Sequence, residues 1–183
     1  MKNSTENNNT VSVKAAAAQI KSGDTIWVGN TTSISKEFLD ALTDRQNELK
    51  NVTILANKGN ESCKVLDELK YRSSFKVMSF FKEGLVETYK NGNKAEFITS
   101  TADETVDAVC RQFGVNTIAV AVCPPDSNGD CNVGQSGNFL TPAINTFGGV
   151  TKRIAIIDDS LPAINENSSK STIKLSAFDC ICQ

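Results

Sequence analysis

The chain has 183 residues, 22% of them charged and 39% hydrophobic, with a formal net charge of −2; that length can bury the core of one compact domain without staples. The charges are interspersed without a long single-sign run, which argues against a nucleic-acid or anionic-membrane binder, and no apolar run reaches the roughly 18 residues of a membrane span. The polar start MKNSTENNNTVS lacks the apolar core of a signal peptide, so a cytoplasmic protein is expected.

Residues 1–11, rich in asparagine, read as a disordered tail, and a single domain is expected over 12–183. Val13, Ala16, Ala17 and Ile20 form a helical stripe ending at Gly23, after which Thr25-Ile26-Trp27-Val28 has the character of a buried strand. Asn30 to Ser33 make a polar loop. Ser35 is placed as the N-cap of a helix that turns Phe38, Leu39 and Leu42 inward, and Val52-Thr53-Ile54-Leu55 is the next strand. Such a strand–helix–strand unit favours parallel pairing.

Farther on, Val65, Leu66 and Leu69 suggest a helix and Phe75-Lys76-Val77-Met78 a strand, while Glu83 to Asn93 is ambiguous, with a turn at Asn91-Gly92. Thr101, ahead of Asp103 and Glu104, heads a helix whose Val106, Val109, Cys110 and Phe113 face inward. Val115 to Val122 is the most apolar strand and is assigned to the sheet centre. Ile154-Ala155-Ile156-Ile157 is the last clear strand, and a short extended piece surrounds Ile173-Lys174-Leu175. The alternation predicts an α/β fold with a largely parallel central sheet flanked by helices.

Six cysteines stand with no histidine at all, and only Cys180 and Cys182 form a close pair. A CxC with no second pair does not complete a tetrahedral metal site, so buried or free thiols are expected and no metal.

Three places lie at the carboxyl ends of predicted strands, where open α/β sheets bind ligands. Asn30, Thr31 and Thr32, with Ser33, form a hydroxyl-rich turn able to receive a phosphate or carboxylate, although helix capping accounts for the same residues and is the favoured reading. The segment Cys123 to Ser136 is long for a connector; Pro124 and Pro125 end the strand, Asn128-Gly129 makes a turn, and Gly134 and Gly137 lead to a helix placed from Asn138. Its candidate ligand or interface residues are Pro125, Asp126, Gly129, Gly134, Gln135 and Ser136. Asp126 and Asp130 have no His or Lys beside them in sequence to act as a base, so no catalytic residue is assigned. Asp158-Asp159 reads as a solvated turn, lacking a third carboxylate for a cation cage.

The run Val120-Ala121-Val122-Cys123-Pro124-Pro125-Asp126-Ser127-Asn128-Gly129-Asp130-Cys131-Asn132-Val133-Gly134-Gln135-Ser136 resembles the strand-PPD-x-x-G-x-x-x-x-G-x-S signature of the acetyl-CoA hydrolase/transferase family, which includes acetate, butyrate and 4-hydroxybutyrate CoA-transferases. Ile20-Lys21-Ser22-Gly23-Asp24, Leu39-Asp40-Ala41-Leu42 and Leu49-Lys50-Asn51-Val52-Thr53 follow the family's order. The likeness runs from about Val11 to the C-terminus and is to the N-terminal domain.

The resemblance implies that a second, similar domain supplies a glutamate that attacks the acyl-CoA thioester, and that an enzyme-glutamyl-CoA intermediate passes CoA to another carboxylate. On this reading the chain ends near the close of the first domain, holds no cofactor of its own, meets a coenzyme A thioester only as substrate, and is inactive until a catalytic second domain or subunit joins it. The alternative is a catalytically inactive truncated relative that serves as a binding or interaction module. A surface made to meet a partner should expose an apolar patch around Pro125, Val133 and Phe139 and, left alone, draw copies into a homo-oligomer.

Overall fold

The computed structural model describes residues 10–57, 63–79, 96–97, 106–134, 141, 143–144, 148–164 and 171–183. Within them the strands are β1 (Thr10–Val11), β2 (Thr25–Asn30), β3 (Val52–Asn57), β4 (Phe75–Ser79), β5 (Glu96–Phe97), β6 (Thr117–Val122), β7 (Asp130–Asn132), β8 (Lys152–Ile157), β9 (Thr172–Lys174) and β10 (Cys180–Cys182). The helices are α1 (Val13–Ala17), α2 (Lys36–Thr43), α3 (Lys64–Asp67) and α4 (Val106–Phe113).

Eight strands form one sheet in the order β1-β10-β8-β6-β2-β3-β4-β5, and every pairing in it is parallel. β7 and β9 make a separate antiparallel ribbon. All six residues of β6 are buried, as a central parallel strand covered on both faces requires. Side chains alternate between the two faces. Ile26, Val28, Ile54, Ala119 and Ile154 pack under α1 and α2 with Ala16, Phe38, Leu39 and Leu42. Trp27, Leu55, Ile118, Val120 and Val122 face the other way, onto Cys110 of α4 and the ribbon residues Cys131 and Ile173.

Local chemistry fixes the elements. Ser35 Oγ accepts the Phe38 amide at 3.2 Å to start α2, as expected from sequence, and Ser12 Oγ accepts the Ala15 amide at 3.2 Å to start α1. The Arg45 guanidinium closes α1, donating to the carbonyls of Ala17 (2.6 Å) and Ile20 (3.0 Å). At the amino ends of β2, β6 and β8, buried Asp24 accepts from the Lys21 amide (2.8 Å), Asn116 Nδ2 (3.0 Å) and Lys152 Nζ (3.3 Å). That edge is locked by a structural network, which leaves the carboxyl edge for ligands.

The structure moves several boundaries. Thr10 and Val11, assigned to the tail, form β1, in register with Ile181 and Cys182; half-buried Val11 packs on the core, which holds the chain there. The close pair Cys180 and Cys182 belongs to strand β10, with both residues buried. The central strand starts at Thr117 rather than Val115, because Gly114, at φ +62, turns the chain out of α4. Leu69 lies in a 3-10 turn after the short α3. The expected turn at Asn91-Gly92, the helix start at Thr101 and the start of the helix from Asn138 lie outside the described residues, while Thr141, Ala143 and Ile144 are helical. Among those described, no helix is long and apolar enough to cross a membrane.

Candidate functional site

Three loops leave the carboxyl ends of the adjacent strands β2, β6 and β8 and converge. The first corner is forced by Gly29, at φ +90; a Cβ there would lie 3.0 Å from the Ser33 Cβ and 3.1 Å from the Ser33 carbonyl oxygen. The register of β2 on β3 shifts at this point, and Thr31–Ser33 folds back as a 3-10 turn. Asn30 ends the strand, Thr31 opens the turn, Thr32 is exposed, and Ser33 is fully buried with its Oγ donating to the Val133 carbonyl at 3.3 Å.

The second loop begins at Cys123, whose amide donates to the Asn132 carbonyl at 2.9 Å. Asp126 to Asp130 form a closed turn: the Gly129 amide donates to the Asp126 carbonyl at 3.0 Å, and the Asp126 amide donates to the Asp130 carbonyl at 2.9 Å. Gly129 at φ +77 supplies the left-handed residue such a turn needs. The Asp126 carboxylate accepts the amides of Asn128 (2.8 Å) and Asp130 (2.9 Å), and these bonds hold its pKa below the usual carboxylate value. Asp130 is paired with Lys174 Nζ at 2.7 Å, a partner contributed by β9 that no local reading of the loop discloses.

The third loop follows β8. The Asp158 amide donates to the Val122 carbonyl at 2.9 Å, and the Cys123 thiol lies 3.3 Å from the Leu161 carbonyl. Asp158 Oδ1 accepts both the amide (2.8 Å) and the hydroxyl (2.6 Å) of Ser160, so the Asp158-Asp159 pair is a capped turn, as expected.

These contacts sort the candidates. Gly134 is buried between the first and third loops; a Cβ on it would meet Thr32 Oγ1 at 3.5 Å and the Pro162 carbonyl oxygen at 3.7 Å. Asp126 and Gly129 instead sit in the outer turn that leads into β7 and are tied to the ribbon and its flank, Asp126 to Asp130 and Gly129 to the Leu175 amide, with exposed Pro125 just ahead of them. Gln135 and Ser136 lie outside the described residues. The expected apolar patch changes: Pro125 is exposed, but Val133 is fully buried, packed with Cys131 on the inner side of the ribbon, and Phe139 lies outside the described residues. Asn132 and Pro162 were not singled out from sequence, since each acquires its place only through a partner in another loop; Ser33 was read as part of the hydroxyl-rich turn, but its bond to Val133 was not.

The chemistry of the convergence is that of shape and hydrogen bonding. Burial, with the nearby Asp158 charge, pushes the Cys123 thiol up, and burial pushes Cys131 up to about 11, so neither is a thiolate nucleophile at neutral pH. Among the described residues no cluster can hold a metal ion. All six cysteines are buried thiols, as expected.

No protein-family model matches the chain, and no curated protein matches it. Solved structures do. RipA from Yersinia pestis superposes with a TM-score of 0.77 at 17% identity, over 95% of this chain and 42% of its own. The 4-hydroxybutyrate CoA-transferase from Porphyromonas gingivalis gives a TM-score of 0.66 at 18% identity, over 95% of this chain and 38% of its own. A variant of the decarboxylase AibA/AibB gives 0.57 at 11% identity, over 94% of this chain and 81% of that one. The chain thus has the α/β fold found in CoA-transferase structures, and spans well under half the length of the first two.

Proposed function

We propose that this chain contributes one domain to an enzyme that transfers coenzyme A between short-chain carboxylates of the acetate, butyrate or 4-hydroxybutyrate type, with the nucleophilic glutamate carried by a second domain or subunit. The observation that carries this reading is the superposition on a 4-hydroxybutyrate CoA-transferase across 95% of the chain; Gly134, at the inner end of the PPD loop, lies beside Thr32 and Pro162 of the neighbouring loops. The described loops supply turns, a small notch at Gly134 and hydrogen-bonding groups, but no assembled acid, base or nucleophile; this suits a domain that holds a thioester while another reacts with it. Acyl-CoA is substrate here, with no resident cofactor. Six reduced thiols suit a cytoplasmic setting.

A second reading, a binding or interaction module without its own reaction, draws on the described loops holding no assembled acid, base or nucleophile. Labelled-acyl exchange from acetyl-CoA to butyrate or propionate separates the two. The 183-residue polypeptide should show none alone and gain it when a CoA-transferase second domain is supplied. Turnover by the polypeptide alone, lost on changing one of its own carboxylates, refutes the proposal; silence with every such second domain favours the module.

A further inference from the structure

We infer that Asn132 is the positioning residue of the convergence, holding the Gly134 turn and the loop after β8 in one fixed relation. Its carboxamide acts as a peptide group would. Nδ2 donates to the Ile164 carbonyl at 3.0 Å, while Oδ1 accepts the Ile164 amide at 3.3 Å and the Gly134 amide at 2.9 Å. Only a side chain with donor and acceptor in one plane makes this pair with a backbone, and both lone pairs of its oxygen are engaged. The near end of the same loop is held by Asp158 on Val122 and by Cys123 at Leu161. Asn132 holds the far end. On the opposite side Ser33 Oγ grips the Val133 carbonyl. Gly134 is thereby held between Thr32 and Pro162, and the notch width follows from the Asn132 bonds.

The choice of ligand for the test rests on the coenzyme A reading; the loop coupling does not. In the 183-residue chain, Asn132→Ala removes all three bonds, and Asn132→Asp, should the first fail to fold, keeps the acceptor and sets a carboxylate oxygen against the Ile164 carbonyl. Amide exchange at Gly134 and Ile164 should quicken together while β6 stays protected, and acetyl-CoA affinity by calorimetry should fall about tenfold, the factor for one hydrogen bond of ordinary strength. Unchanged exchange at both amides overturns the inference. So does quickened exchange with full acetyl-CoA affinity, which makes Asn132 a fold clasp alone. If the unaltered chain binds no acetyl-CoA, the coenzyme A reading falls by itself, and a double-mutant cycle decides: Gly134→Ala must speed exchange at Ile164 when Asn132 is present and not when it is Ala.

Discussion

Asp126 and Asp130 are bonded to each other twice through different groups: the Asp126 amide donates to the Asp130 carbonyl at 2.9 Å, and the Asp126 carboxylate accepts the Asp130 amide at 2.9 Å. The Asn128 amide adds a third bond to that carboxylate. Because these donors favour the ionised form, the folded pKa lies below the unfolded one. The stabilisation is therefore complete above the unfolded value of about 3.9 and is lost as pH falls through the lower folded value. Asp126→Asn, which keeps an acceptor and removes the charge, should unfold at lower urea than the parent at pH 7. The gap should close in acid. A gap that persists unchanged below about pH 3 removes the charge from the account.

The thiols give the opposite sign. Cys131 and Cys182 are fully buried, and burial pushes their pKa values up to about 11 and about 12 from an ordinary 9.0. Their protonated forms stabilise the fold below the unfolded thiol pKa, and that contribution is lost as pH rises through the folded values. Denaturation midpoints should decline above about pH 9, and less steeply in Cys131→Ala. At pH 8 a disulfide reagent should leave both thiols untouched until the protein is unfolded. Rapid native labelling of Cys131 would contradict its placement beneath the ribbon.

The parts of the fold legible in sequence are those set by local chemistry. Ser35 ahead of Phe38, Leu39 and Leu42 announces α2, and the unbroken apolar run to Val122 announces a central strand, since capping and burial leave their mark within a few residues. β7 and β10 were not legible: Asp130-Cys131-Asn132 and Cys180-Ile181-Cys182 are too short for a period, and their pairing depends on Thr172–Lys174 and Lys152–Ile157 far along the chain. The PPD loop was legible as a long glycine-bearing segment. Its division into an outer turn at Gly129 and an inner notch at Gly134 was not, because Thr32 and Pro162 reach Gly134 from other loops.

At the opposite edge of the sheet, Asp24 ties three strands through Asn116 and Lys152. Asp24→Ala takes the acceptor from the Asn116 carboxamide and the counter-charge from Lys152, whose ammonium keeps the Gln19 carbonyl at 2.8 Å, and should cost about 2 kcal/mol. Equilibrium unfolding in urea checks this. Ligand binding at the carboxyl edge should be unaffected once the variant is folded, because the network lies at the amino ends of the strands. A loss below about 0.5 kcal/mol would mean water replaces the carboxylate without penalty.

Gly129 and Gly134 form a matched pair that separates strain from function. Both have positive φ, +77 and +58, so alanine at either carries a similar backbone cost of about 1 kcal/mol. Their surroundings differ. A Cβ on Gly129 has nothing within 4 Å, whereas one on Gly134 enters ordinary contact with Thr32 Oγ1 at 3.5 Å and the Pro162 carbonyl at 3.7 Å, filling the notch without a clash. Thermal melting should therefore shift by similar amounts in Gly129→Ala and Gly134→Ala. Acetyl-CoA binding, and CoA transfer with a second domain present, should survive the first and be lost in the second. Equal function in both variants would make Gly134 a turn residue alone and move the ligand away from the convergence of the three loops.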